Sequence, residues 1–128
     1  MIVDASALVA IVVAEPGYED VWRRLREADR VVVGAPTLVE AGMVLERYVP
    51  RLGRTLMARL LDEVEALRVP FTDAHWPLAL DAFLRYGKGR HVAALNFGDC
   101  LTYALAKADG EPVLCVGDDF ARTDLVLA

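Results

Sequence analysis

Short apolar runs rich in β-branched residues alternate along this chain with longer stretches of helical periodicity, and that alternation limits the folds open to it. Met1-Ile2-Val3, Val31-Val32-Val33 and Val113-Leu114-Cys115-Val116 read as strands buried on both faces. Val69, closed by Pro70, marks a shorter third strand, and Leu125-Val126-Leu127 a last one. Strands interleaved with helices build a parallel sheet covered on both faces. The expectation is therefore an α/β protein, a Rossmann-like α/β/α sandwich with a central parallel sheet. The 128 residues suit a single domain, 1–128.

The helices follow from spacing and punctuation. Ala5 to Val12 reads as a buried helix broken by Glu15-Pro16-Gly17. Tyr18, Val21, Trp22, Leu25 and Ala28 form one stripe, with Arg23, Arg24, Arg26 and Glu27 as a solvated face. Leu38, Ala41, Leu45 and Val49 define a helix opened at Pro36 and ended by Pro50. Leu52, Leu56, Leu60, Val64 and Leu67 predict its antiparallel neighbour. Thr72 or Asp73 is placed to cap a helix carrying Trp76, Ala79, Leu80, Phe83 and Tyr86. A final helix runs from Asn96 to Ala108 and stops at Asp109-Gly110.

The net charge of −5 gives no general attraction for nucleic acid, so such a substrate requires a local basic patch or a bound cation. The loop Tyr86-Gly87-Lys88-Gly89-Arg90-His91 is the best candidate for phosphate contacts. Apolar residues make up 55% and mean hydropathy is +0.33, high enough to expect apolar surface that meets a partner. Cys100 and Cys115 lack metal-ligand spacing and read as reduced, buried thiols. No signal-type leader opens the chain, and the apolar run Ala7 to Ala14 is far short of the roughly 20 residues that span a bilayer. A cytoplasmic protein with no membrane segment is expected.

Acidic residues stand where helices leave strands. Asp4 ends the first strand, Glu40 is expected in the first turn of the helix after the second, Asp99 sits in the first turn of the Asn96 helix, and Asp118-Asp119 follow the Val113 strand. Each has a local explanation. Asp4 or Ser6 can cap the first helix, Thr37 and Glu40 fit a T-x-x-E capping box, and Asn96 with Asp99 forms a similar box. Capping does not explain why all of them fall at the carboxyl edge of one parallel sheet, where open α/β folds bind ligands.

Carboxylates gathered there repel unless one is protonated or a cation intervenes. An all-oxygen donor set selects a hard dication, Mg²⁺ or Mn²⁺, and zinc is disfavoured because no His or Cys stands at matching positions. Such an ion lowers the pKa of a bound water and stabilises a phosphate under attack; one ion or a pair about 3.5–4 Å apart is allowed. No phosphate-binding loop G-x-x-x-x-G-K-[ST], G-x-G-x-x-G fingerprint or G-x-S-x-G elbow occurs, and Ser6 stands where a D-x-D phosphatase needs an acid.

Met1-Ile2-Val3-Asp4-Ala5-Ser6-Ala7-Leu8, Ala35-Pro36-Thr37-Leu38-Val39-Glu40, Asn96-Phe97-Gly98-Asp99-Cys100 and Gly117-Asp118-Asp119-Phe120 resemble, in order and spacing, the PIN-domain ribonuclease toxins. More narrowly they resemble the VapC toxins of type II toxin–antitoxin modules. The resemblance spans nearly the whole chain. It implies Mg²⁺-dependent endonucleolytic cleavage of RNA leaving a 5′-phosphate, a homodimer, and inhibition by a cognate VapB-type antitoxin, with DNA reached only through that antitoxin. It implies Asp4, Glu40, Asp99 and Asp118 as the metal-site acids, Asp119 being the alternative to Asp118, and Ser6 as a supporting hydroxyl.

In the mechanism expected, Asp4 and Asp99 hold the ion directly and Glu40 acts through a water or orients the attacking one. Asp118 or Asp119 completes the shell, and metal-activated water attacks phosphorus in line. Lys88, Arg90 and Arg122 are the candidates for steering RNA into the pocket. Two alternatives compete. One is a catalytically weak PIN-fold binding module acting mainly through antitoxin and DNA-bound complex formation. The other is a receiver-like acid pocket that accepts a phosphoryl group.

Overall fold

The computed structural model describes residues 1–128. Its elements run β1 (Ile2–Val3), α1 (Ala5–Val12), α2 (Tyr18–Glu27), β2 (Val32–Gly34), α3 (Ala35–Tyr48), α4 (Gly53–Glu63), β3 (Leu67–Val69), α5 (Trp76–Tyr86), α6 (Phe97–Asp109) and β4 (Val113–Leu114), followed by a 3₁₀ turn at Phe120–Arg122. The four strands pair in parallel in the order β3-β2-β1-β4. The expected strand at Leu125–Leu127 is reduced to one parallel bridge, Val113 to Leu127, which extends the β4 edge.

Alternation along the strands divides the core in two. Val3, Val33 and Leu114 point into a cluster with α1, α3 and α4, where Leu8, Leu45 and Leu61 lie. Ile2, Val32 and Val113 point the other way, against Ala82, Tyr103 and Leu105 of α5 and α6. Successive side chains of a strand face opposite sides, so these two- and three-residue strands serve both layers at once. The chain winds outward from β1 to β3, then crosses back to place β4 on the other side of β1. That reversal puts the crevice of an open α/β sheet at the carboxyl ends of β1 and β4.

Three local expectations are corrected. Thr37 and Glu40 form no capping box: α3 starts at Ala35 with Gly34 as N-cap and no side-chain cap bond, so Thr37 is already inside the helix and turned into the core. Leu67 does not belong to α4. That helix ends at Glu63, Leu67 opens β3, and the buried face of α4 is Met57, Leu60 and Leu61 while Leu52 and Leu56 are exposed. The spacing of four between leucines was coincidental, because a strand too short to show its own period follows directly. On α5 neither Thr72 nor Asp73 is the N-cap, which is His75, and Trp76, Leu80 and Phe83 stay exposed. Small Ala79 and Ala82, with Tyr86, make the buried face, letting α5 approach α6 closely and leaving the large apolar groups outside.

Candidate active site

Asp4 leaves β1 and caps α1. Its Oδ2 accepts hydrogen bonds from the Ser6 amide (3.0 Å) and the Ser6 hydroxyl (2.6 Å), and its Oδ1 accepts one from Thr102 Oγ1 (2.9 Å). The Ser6 hydroxyl in turn accepts the Val116 amide (3.0 Å), tying the end of β4 to the start of α1. Thr37 Oγ1 lies 3.5 Å from Thr102 Oγ1, extending the hydroxyl chain to α3. Asp4 is only 4% exposed, and these donors fix its carboxylate in one orientation.

Asp99 is both a cap and a site residue. Its amide donates to Asn96 Oδ1, and its Oδ2 accepts the Asn96 amide, both at 2.9 Å, a complete capping box. That box holds the carboxylate at the positive end of α6, 8% exposed, beside the cavity. Glu40, in the second turn of α3, lies directly over Gly98, so close that a Cβ there would overlap its carboxylate. Glycine at 98 is what lets α3 bring an acid to the start of α6.

Asp4, Ser6, Glu40, Asp99 and Asp119 line one cavity of about 390 Å³, with Glu15 as a further acid on its wall. Of Asp118 and Asp119, both exposed, Asp119 lines the cavity and Asp118 does not; Asp119 immediately precedes the 3₁₀ turn, whose Phe120 is buried. The cavity's electrostatics follow from this crowding. Burial, then the charges of Asp4 and Asp99, push the Glu40 carboxyl up to about 7. Burial raises Asp99, the Asn96 amide opposes it, and the charges of Asp4 and Asp119 add to the rise, leaving it at about 6. The neighbouring Cys115 thiol is raised to about 11 by burial and by the same acids.

The donor chemistry fits a hard dication, since oxygens alone face the cavity from the acids and a positive charge there would relieve their repulsion. The side chains as they stand share a wall without closing into a cage: no three His, Cys, Asp or Glu groups are spaced to hold an ion.

Of the residues expected to steer RNA, none lines this cavity. Lys88 lies in an apolar hollow with Trp76, Phe83 and Phe97. The Arg90 guanidinium sits 5.0 Å over the Phe83 ring, and Arg122 donates to the Val92 carbonyl at 3.2 Å. Sequence reasoning missed Thr102 and Glu15. A threonine inside a helix, three residues after the acid, was a usable signal for Thr102, because such residues favour other positions unless the hydroxyl has a task. Nothing local marked Glu15.

Asp119→Asn is expected to reduce any cation-dependent activity at least about tenfold, while Asp118→Asn changes it less than about twofold, measured as initial rates across a Mg²⁺ titration. Thr102→Val leaves Asp4 Oδ1 without its buried donor, so a loss of about 1–3 kcal/mol in stability is expected by urea denaturation.

A four-stranded parallel sheet with acids converging at its switch point defines a class, and comparison places the chain in it. The family model of the PIN domain matches residues 1–126. The chain belongs to the PIN-domain family and, within it, to the VapC branch. It is 48% identical over 126 residues to ribonuclease VapC36 of Mycobacterium tuberculosis, covering 98% of this chain and 91% of that one. Ribonuclease VapC42 of the same organism is 41% identical over 128 residues, covering 98% and 96%. Among solved structures, M. tuberculosis VapC20, described as a sarcin-ricin loop cleaving toxin, superposes with a TM-score of 0.81 at 17% identity, over 99% of this chain and 97% of that one. At that identity the likeness concerns the fold. No helix is long and apolar enough to cross a membrane.

Proposed function

We propose that this protein is the toxin of a type II toxin–antitoxin pair, an endoribonuclease that hydrolyses RNA with the help of Mg²⁺ or Mn²⁺. The observation that carries the reading is the gathering of Asp4, Glu40 and Asp99, from three separate elements, on one cavity where two of them hold protons too tightly for ordinary surface acids. The names of the VapC relatives support the ribonuclease assignment.

Asp4, Asp99 and Asp119 would hold the cation, with Glu40 beside it. A dication there would supply positive charge to the phosphate oxygens and acidify a bound water. Asp4 contributes a carboxylate that cannot rotate away from its serine and threonine donors. Asp99 contributes one fixed by its own cap. Glu40, which has no hydrogen-bond partner and a pKa near neutrality, takes the proton at Oε as the water oxygen attacks phosphorus. The P–O3′ bond breaks, leaving a 5′-phosphate and a 3′-hydroxyl that takes its proton from solvent.

A VapB-type antitoxin would occupy apolar surface, DNA being reached only through it, and a homodimer would cover more. The exposed Trp76, Leu80 and Leu84 of α5 suit such protein contacts. The setting proposed is the cytoplasm. The experiment is incubation of the purified protein with total RNA, with and without Mg²⁺ and with excess EDTA, followed by mapping of RNA ends. Discrete Mg²⁺-dependent ends bearing 5′-phosphates support the enzyme. Antitoxin binding without any cleavage supports the binding module instead.

A further inference from the structure

Asp4, Glu40 and Asp99 differ in how much of each carboxylate stays open to a ligand. An ionised carboxylate offers about four lone-pair positions shared between its two oxygens. On Asp4 three are filled: Oδ2 accepts both the amide and the hydroxyl of Ser6, and Oδ1 accepts the Thr102 hydroxyl. Asp99 accepts one bond, from the Asn96 amide to its Oδ2, and Glu40 accepts none.

Helix capping accounts for only one of the bonds to Asp4, the one from the Ser6 amide at the start of α1. The two hydroxyls are additional, and their directions are set. The Val116 amide donates to Ser6 Oγ at 3.0 Å, which leaves the Ser6 proton to point at Asp4 Oδ2, 2.6 Å away. Thr102, 1% exposed, donates to Oδ1 at 2.9 Å, with Thr37 Oγ1 3.5 Å behind it. Asp4 is buried, so its carboxylate cannot swing without breaking one of these bonds. A carboxylate grips an ion with both oxygens only if each has a free position. Asp4 Oδ2 has none, and Oδ1 has one.

We propose that Ser6 is a specificity-determining residue: by filling Asp4 Oδ2 it confines that carboxylate to ligation through one oxygen, so that the cavity accepts Mg²⁺ or Mn²⁺ and discriminates against Ca²⁺. The proposal rests on the cation-dependent reading above and deepens it by naming what selects the ion. Ca²⁺ gathers about six to eight oxygens and readily takes both from one carboxylate, whereas Mg²⁺ demands a near-ideal octahedron. Thr102 has a different share: it steadies Oδ1, the oxygen left for the ion, and without it Oδ2 is still filled.

The test is titration calorimetry of the RNA-free protein with magnesium chloride and with calcium chloride, beside melting curves in EDTA, so that selectivity is read without turnover. Wild-type protein should bind Mg²⁺ at least as tightly as Ca²⁺. Ser6→Ala should move the ratio of the two affinities about tenfold toward Ca²⁺, and Ser6→Thr, which keeps the hydroxyl, should restore it. Thr102→Val should weaken both ions together and leave the ratio within about twofold. A wild-type preference for Ca²⁺ overturns the assignment, and decides the matter alone if Ser6→Ala fails to fold. An unchanged ratio in a folded Ser6→Ala protein, or an equal shift in Thr102→Val, overturns it too, since a purely structural serine would weaken both ions alike. In those cases Mg²⁺ binding by the wild type leaves the cation-dependent reading standing. A wild-type protein that binds neither ion sinks both.

Discussion

Asp99→Asn protein is expected to fold, to melt within a few degrees of the wild type, and to cut RNA slower by on the order of 10³-fold. The geometry separates the two effects. Asparagine keeps the shape of aspartate and retains an oxygen that can accept the Asn96 amide, while the Asp99 amide still donates to Asn96, so the α6 start survives at a cost of about 1 kcal/mol or less. Part of that cost is offset, because a group pushed to about 6 by burial and repulsion no longer has to ionise. What is lost is a fixed negative oxygen on the cavity wall. Cleavage rates of a labelled RNA in saturating Mg²⁺, beside circular-dichroism melts, read both. Wild-type cleavage by the variant would remove Asp99 from the chemistry; an unfolded variant would mean that its role is the cap alone.

Glu40→Gln should make the metal-free protein more stable at neutral pH while removing its activity. Glu40 titrates near 7 in the folded protein and near 4.5 when unfolded, and Asp99 moves in the same direction. The folded state therefore binds more protons between those values. The corresponding stability is fully present below about pH 4 and is lost as pH rises toward 7. A tenfold difference in proton affinity between folded and unfolded states is worth about 1.4 kcal/mol, and the partial exposure of Glu40 to solvent reduces what is realised. A loss on the order of 2 kcal/mol between pH 4.5 and 7.5, or roughly 5–10 °C in Tm, is expected in EDTA. Glu40→Gln should flatten about half of that slope, Asp99 keeping the rest. Millimolar Mg²⁺ should restore the wild-type Tm at pH 7.5 and raise the variant's much less. A pH-independent Tm in EDTA, or no Mg²⁺ effect, would contradict the crowded-acid description of the cavity.

The parts legible in the sequence were those where residue type and position have one physical meaning. Val-rich triplets between amphipathic helices specify a parallel sheet, and an acid directly after such a strand must emerge at its carboxyl edge, which places Asp4 without coordinates. Asn96 and Asp99 were legible twice, as a cap and as an acid at that edge, and both readings hold together because one oxygen serves the cap while the carboxylate still faces the cavity. Glu40 is an edge acid, as its position implies, but not a capping partner, because α3 is capped three residues before Thr37, at Gly34. The choice between Asp118 and Asp119 depends on which way a turn rolls, and the roll is set by burial of Phe120, a contact distant in sequence. Lys88, Arg90 and Arg122 lie off the acid cavity, a placement that a glycine-rich basic loop does not disclose in the sequence.

The hydroxyl of Ser6 joins the first turn of the chain to the amide of Val116, and Thr102 reaches the same aspartate from α6. Synthesis from the N-terminus makes Asp4 and Ser6 almost at once, and Thr102 and Val116, which tie them to α6 and β4, almost last. A ribosome-bound fragment that stops before α6 and β4 holds Asp4, Glu15 and Glu40 but lacks the elements that carry Asp99 and Asp119. The acid cavity is thus assembled only in a nearly full-length polypeptide, however early its first carboxylate is made.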